Sequence, residues 1–175
     1  MENDNNSDDD GAGLLSLDSQ LCFALYAATH AVTKTYRYKL SELGLTYTQY
    51  LVLLVLWAQD GLKISEIGEQ LKLDSGTVTP LIRRLEKMDI VRRERSKEDE
   101  RVVKVFLCEK GLAPKMSVLE VRKFVGESLQ MSQSEILALR ANLMRVVDTL
   151  EKVNADRDDD VIKITEKPKK TKAQA

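Results

Sequence analysis

The chain has 175 residues, 43% of them hydrophobic and 31% charged, with a formal net charge of −1 at pH 7. That length supports one domain with a real core, and the near-neutral balance gives no compositional sign of a nucleic-acid partner. The longest apolar run, Tyr50 to Ala58, falls short of the roughly 20 residues of a membrane span. The polar, acidic start differs from a secretory signal. Cys22 and Cys108 stand too far apart to suggest a disulfide framework. A cytoplasmic setting with reduced thiols is the expectation.

Residues 1–16 consist largely of Asp, Asn, Ser and Gly and are expected to form a disordered acidic arm. A helix is predicted from a cap at Asp18 to about Leu43, stopped by Gly44. Thr48 is the predicted cap of a second, more apolar helix over Gln49 to Gln59, and Asp60-Gly61 ends it. Ser65 can cap a short third helix, Glu66 to Leu71. Asp74 or Ser75 begins a fourth, reaching about Met88. The pattern then changes to two β-prone runs, 90–95 and 102–107, around a polar tip, which reads as a hairpin. Lys115 to Leu129 reads as a long helix, and Ser132 or Ser134 opens a last one ending near Val153. Beyond it, residues 154–175 read as a flexible charged tail, acidic at Asp156 and Asp158 to Asp160 and then lysine-rich, with one short strand-like run at 161–164. The organisation expected is an arm at 1–16, a folded domain at 17–153 and the tail.

The third and fourth helices form a helix-turn-helix arrangement, whose second helix enters the major groove. Ser75, Thr77 and Thr79 are small enough for close approach, and threonine methyls can meet thymine methyls. Pro80 removes one backbone donor, so a local kink or loose first turn is expected there. Arg83 and Arg84 can reach bases or phosphates. The plain alternative for the hydroxyl cluster is helix capping. Residues 83–104 hold nine basic side chains against six acidic ones. A basic hairpin after a recognition helix is a wing, and Arg101 at its tip is the candidate for the minor groove. Asp99 is expected to orient an arginine through a charge-assisted bond.

Cys22 lies in the aromatic-rich stretch Leu21-Cys22-Phe23-Ala24-Leu25-Tyr26, expected in the second turn of its helix, where the helix dipole favours thiolate. Two readings stand: a sensing thiol, or a small buried hydrophobe. Tyrosine hydroxyls would stabilise a thiolate. Tyr36 is fourteen residues away, about 21 Å along one helix, so it can meet Cys22 only across a dimer interface. His30 has no acidic or cysteine partner at ligand spacing, and no metal site is expected.

Four blocks carry a resemblance: Leu17 to Tyr26, Gly44 to Tyr50, Leu73 to Leu81, and Asp99-Glu100-Arg101. Over roughly Leu17 to Leu150 the chain resembles the organic-hydroperoxide-sensing (OhrR-like) branch of the MarR family of winged-helix repressors. The resemblance implies a mainly α fold with a small β-wing: a winged helix-turn-helix domain with N- and C-terminal dimerisation helices. It implies a homodimer on a pseudo-palindromic double-stranded operator, read through Ser75, Thr77, Thr79, Arg83, Asp99 and Arg101. It also implies that organic hydroperoxide oxidises Cys22 to a sulfenic acid, that Tyr36 and Tyr47 of the partner subunit bond to that sulfur, and that oxidation releases DNA.

The chain departs from two-cysteine members, because 115–129 holds no resolving cysteine. A one-cysteine type is implied, its sulfenic acid captured by a small thiol or over-oxidised. Cys108 sits where it can cap the next helix, either as a reactive thiol in its own right or in place of the usual hydroxyl. No cofactor and no membrane association are expected. Two alternatives remain: a regulator answering a small aromatic ligand with Cys22 structural, and a thiol peroxidase, for which the chain lacks an obvious activating motif.

Overall fold

The computed structural model describes residues 13–165, apart from 97, 98 and 100, with side chains as far as residue 157. Residues 1–12 of the expected arm and 166–175 of the expected tail lie outside the described residues. The chain divides after Ser128 into two compact units.

The first unit is built around α2 (Tyr47–Ala58). Its sequence is apolar on every side, which suits only a buried helix. Tyr50, Val52, Leu53, Val55 and Leu56 are all buried. Thr46 caps it: the Thr46 hydroxyl accepts from the Gln49 backbone N–H at 3.3 Å, and Gln49 Oε1 accepts from the Thr46 N–H at 2.8 Å. This reciprocal pair places the cap two residues before the predicted Thr48.

Before α2 runs α1 (Leu21–Leu40), whose only buried residue is Leu40. Its start also differs from prediction. Ser19 and Gln20 side chains donate back to the Leu14 and Ser16 carbonyls. This local competition with the helix makes a separate 3-10 turn of Leu17–Ser19, with Asp18 inside it and Gln20 at the cap position. Cys22 therefore lies in the first turn of α1, not the second. A further 3-10 turn, Ser41–Leu43, ends at Gly44 in the left-handed region.

The short strand β1 (Leu62–Lys63) leads into α3 (Ile64–Leu71). Glu66 Oε2 accepts from the Lys63 N–H at 2.7 Å, so α3 starts earlier than the predicted Ser65 cap. A β-carbon on Gly68 would stand 2.7 Å from the Leu73 carbonyl oxygen, so glycine is what lets the α3–α4 turn close. Asp74 caps α4 (Ser75–Lys87), a single helix that runs through Pro80.

The hairpin consists of β2 (Val91–Arg95) and β3 (Val103–Leu107). With β1 they form an antiparallel sheet in the order β1-β3-β2, registered by Leu62 opposite Val105 and Arg93 opposite Val105. The predicted hairpin is present. β1 was not predicted, because two residues carry no readable alternation.

The one-turn α5 (Glu109–Leu112) follows Cys108, which occupies its cap position without making a side-chain cap bond. Next comes α6 (Lys115–Ser128), burying Val118, Val121 and Val125. The core gathers Leu40, α2, Ile67, Val78, Ile82, Leu85, Val91, Val105 and the buried face of α6.

The second unit holds α7 (Gln133–Thr165). Ser132 and Glu135 close its start, with Glu135 Oε2 accepting from the Ser132 N–H at 2.8 Å and from its hydroxyl at 2.6 Å. The helix continues well past the expected end at Val153, and the strand expected at 161–164 is helical. Among the described residues no single helix is long and apolar enough to cross a membrane.

Candidate nucleic-acid interface and thiol site

The front of α4 is set by Asp74. Its carboxylate accepts from the Thr77 backbone N–H at 3.0 Å and from the Thr77 hydroxyl at 2.7 Å, and these bonds hold the carboxyl below its ordinary value. Thr79 donates its hydroxyl to the Ser75 carbonyl at 2.7 Å. Both threonine donors are thus used within the helix, and each keeps a methyl and an acceptor lone pair to present. Ser75, Thr77, Arg83 and Arg84 are exposed and Thr79 is half-buried.

At the wing tip, Asp99 Oδ1 accepts from the Arg101 backbone N–H at 2.9 Å, and the Asp99 carbonyl accepts from Val102 at 2.9 Å. The carboxylate therefore holds Arg101 by a charge-assisted bond to its main chain. The tip closes where the Ser96 N–H reaches the Val102 carbonyl at 2.8 Å.

Ties between recognition helix and wing escaped the sequence reading. Glu86 on α4 accepts from Arg93 on β2 three times, from its backbone N–H at 3.2 Å, from Nε at 2.8 Å and from the terminal guanidinium nitrogen at 2.6 Å. The Arg93 guanidinium holds the Glu86 carboxyl below its usual range. Arg92 pairs with Glu94 at 2.8 Å and lies 4.8 Å over the Phe106 ring. From the far end of α2, Asp60 Oδ1 accepts from the Leu107 N–H at 2.9 Å, and Trp57 Nε1 donates to the Gly111 carbonyl at 2.9 Å. A β-carbon on Gly111 would lie 2.3 Å from the Ile90 carbonyl oxygen, so this crossing admits only glycine.

Cys22 is exposed near the start of α1, with Tyr26 and His30 in ring contact at 4.3 Å one turn on. Tyr36 lies near the other end of the same helix, so fourteen residues of α-helix, about 21 Å, separate it from Cys22. Tyr36 instead meets the first turn of α2, 5.0 Å from Tyr47 and 5.5 Å from Tyr50 between ring centres. Burial, with Tyr36 beside it, raises the Tyr47 hydroxyl. Burial, with Tyr36 again beside it, pushes Tyr50 up to about 12. The structure brings Tyr36 and Tyr47 together, adds Tyr50, which the sequence reading left out of the site, and leaves Cys22 of the same chain apart. Among the described residues no group of His, Cys, Asp or Glu could hold a metal ion.

Residues 34–116 match a family model described as transcriptional regulator SarA/Rot. The chain is 51% identical over 135 residues to the HTH-type transcriptional regulator TtmR of Methylorubrum extorquens, covering 77% of this chain and 69% of that protein. It is 39% identical over 140 residues to the organic hydroperoxide resistance transcriptional regulator of Bacillus subtilis, covering 80% and 95%. The structure of reduced AbfR bound to DNA superposes with a TM-score of 0.64 at 33% identity, over 77% of this chain and 94% of that one. Overoxidized AbfR bound to DNA superposes equally well, at 32% identity and the same coverage; AbfR is from Staphylococcus epidermidis. These relatives are regulators and not enzymes, which removes the thiol-peroxidase alternative. The chain belongs to the MarR/SarA family of winged-helix, DNA-binding transcriptional regulators, close to the organic hydroperoxide resistance regulators and SarZ.

Proposed function

We propose that this regulator is a homodimeric repressor that leaves its operator when organic hydroperoxide oxidises Cys22. The observation that carries this reading is the split of the thiol site. Cys22 lies exposed at one end of α1 and the tyrosine group at the other, about 21 Å away by helix rise. Two chains with antiparallel α1 helices complete it twice, each thiol meeting Tyr36 and Tyr47 of the partner subunit. The likeness to the Bacillus subtilis organic hydroperoxide resistance regulator supports the same chemistry.

A dimer also accounts for apolar surface a lone chain leaves wet. Leu112 at the end of α5 and Met116 and Leu119 on α6 are 53%, 73% and 55% exposed. On α7, Ile136, Leu139, Leu143, Val146, Leu150 and Val153 repeat at alternating three- and four-residue steps, the spacing of a helix–helix seam. A two-fold dimer presents two recognition helices one DNA turn apart, as a pseudo-palindromic operator requires.

Reading of the operator falls to Ser75, Thr77, Thr79 and Arg83 in the major groove and to Arg101, steadied by Asp99, in the minor groove. With the hydroxyl protons of Thr77 and Thr79 engaged inside the helix, their methyls meet thymine methyls and the arginines supply donors.

The chemistry proceeds in two steps. The Cys22 thiol attacks the outer peroxide oxygen, the O–O bond breaks, and a sulfenic acid and an alcohol result. A small cellular thiol then attacks the sulfenic sulfur, forming a mixed disulfide and water. Overoxidized AbfR has been crystallised on DNA, so added oxygen atoms alone are compatible with DNA in that relative. The bulkier mixed disulfide is accordingly assigned the release here. Moving operator occupancy from 99:1 to 1:99 takes a coupling of about 5.5 kcal/mol.

The test is operator binding by wild type and Cys22→Ser, before and after one equivalent of cumene hydroperoxide, with and without a small thiol. Release by wild type alone, strongest with the thiol present, supports the reading. Equal behaviour of the two proteins overturns it.

A second reading, a regulator answering a small aromatic ligand, draws on an open cleft of about 420 Å³ lined by Leu43, Leu45, Met88, Ile90, Lys110 and Pro114. It requires that Cys22→Ser still respond to that ligand and that wild type ignore peroxide.

A further inference from the structure

Gln49 is the one polar side chain buried among the described residues, at 5% exposure. Its backbone and its Oε1 serve the cap of α2. Its Nε2 reaches across the core to Met88 Sδ at 3.7 Å, far beyond its own helix. Gln49 lies between Tyr47 and Tyr50 in sequence, in the turn that carries two members of the tyrosine group. Met88 is the C-cap of α4, its N–H bonded to the Arg84 and Leu85 carbonyls. Asp89 follows in the left-handed region and Ile90 is buried, so Met88 and Asp89 form the joint between recognition helix and wing. The Glu86–Arg93 clamp spans that joint and ties its two sides together.

We propose that the Gln49–Met88 contact is the positioning link through which the state of the tyrosine group sets the recognition helix and wing. The inference rests on the peroxide-sensing reading and specifies how the signal leaves the site. A buried amide does not abandon its partner freely, since an unpaired donor there costs about a factor of ten in population. When oxidation displaces Tyr47 and Tyr50, Gln49 is carried with their turn, and Met88 follows. The flexible thioether suits that role. The cleft of about 420 Å³ beside Met88, lined also by Leu43, Leu45 and Ile90, gives the joint space to shift without overpacking.

The experiment measures operator Kd for the full-length chain, reduced and after oxidation with cumene hydroperoxide and a small thiol. Wild type, Met88→Leu and Met88→Gln are compared, and Cys22 oxidation is followed by mass spectrometry. Met88→Leu keeps the volume and loses the sulfur acceptor; Met88→Gln supplies an amide acceptor in its place. The expected result is that Met88→Leu binds the operator within threefold of wild type when reduced and oxidises at the same rate. Its ratio of oxidised to reduced Kd falls at least tenfold, and Met88→Gln recovers most of the wild-type ratio. A Met88→Leu ratio within twofold of wild type overturns the inference and leaves the sensor intact. A wild-type ratio of one overturns the peroxide-sensing reading, and this inference with it.

Discussion

Replacing Glu86 with glutamine tests whether recognition helix and wing are held together electrostatically. Glutamine keeps an oxygen for the Arg93 backbone N–H, which lies 3.2 Å away, and removes the ion pair, whose guanidinium contacts are 2.8 and 2.6 Å. The two side chains are 34% and 31% exposed, so solvent screens the pair substantially. A fully exposed pair contributes about 0–1 kcal/mol, and breaking a fully buried one costs about 3–5 kcal/mol. The intermediate setting places the loss at about 1–1.5 kcal/mol, a fall in Tm of about 3–5 °C for a chain of this size. The pH dependence has a definite sign. Arg93 lowers the Glu86 pKa in the folded state from its ordinary value of 4.5. The stabilisation is therefore complete above that ordinary value and is lost as pH falls through the lower, folded-state value. Urea denaturation of wild type and variant should give a constant difference from pH 6 to 8 that shrinks towards zero in acid. A difference persisting undiminished at pH 3, or absent at pH 7, would refute the reasoning.

Gly111→Ala should cost about 3 kcal/mol or more, because the new methyl meets the Ile90 carbonyl at 2.3 Å and Leu107 at 3.1 Å; a thermal shift of only a degree or two would contradict that geometry. Tyr50 is raised to about 12, so its neutral form contributes stability below pH 10 that is lost as pH climbs through 12. Tyr50→Phe should therefore lose less stability than wild type across that alkaline interval in chemical denaturation, the difference reaching at most about 2–3 kcal/mol. Arg101→Ala should weaken operator binding by about 1–3 kcal/mol and relax the preference for A·T pairs under the wing; uniform weakening with only a smaller salt slope would reassign Arg101 to a phosphate. Thr79→Val should bind within threefold of wild type, since the lost hydroxyl served the Ser75 carbonyl, while Thr79→Ser, which removes the methyl, should bind more weakly. The reverse order in a fluorescence-anisotropy titration would assign readout to the hydroxyl.

The parts of the fold legible in sequence were those whose signal is local. Alternation and β-branching marked β2 and β3, and the Asp74 cap marked the start of α4. The end of α7 was misread because the acidic run after Asn154 looks solvated. A helix needs only continuous backbone bonding, however, and no glycine or proline stands between Gln133 and Thr165 to interrupt it. The cap of α2 went to Thr48 although Thr46, with Gln49 three residues on, carries the reciprocal signature. For the site, spacing along one helix was enough to separate Cys22 from Tyr36. Nothing local could reveal that Tyr50 stacks on Tyr36, that Glu86 holds Arg93, or that Gln49 touches Met88, a contact across 39 positions of sequence. These are tertiary pairings, and periodicity is silent about them.

The same pairings show how α2 handles the DNA-reading half of the first unit. Trp57 and Asp60 at its C-terminal end bond to the Gly111 carbonyl and the Leu107 N–H, fixing the base of the wing. Gln49 at its N-terminal end touches the joint behind the recognition helix. The helix between them is about 18 Å long at 1.5 Å per residue over twelve residues. The tyrosine group lies at the Gln49 end. Under the proposed sensing reading, a displacement there meets two strong bonds at the wing base and one soft contact at the joint. Two direct hydrogen bonds at 2.9 Å resist extension far more than an amide–sulfur contact at 3.7 Å. The wing base then acts as the pivot, and the joint turns about it, tied to it where the Cys108 N–H reaches the Ile90 carbonyl at 2.9 Å. Because Glu86 and Arg93 bind α4 to β2 across that joint, the front of α4 and the Arg101 tip swing together. Both grooves are then lost in one step, which a reader of a two-half-site operator needs if a mixed disulfide at one thiol is to become release.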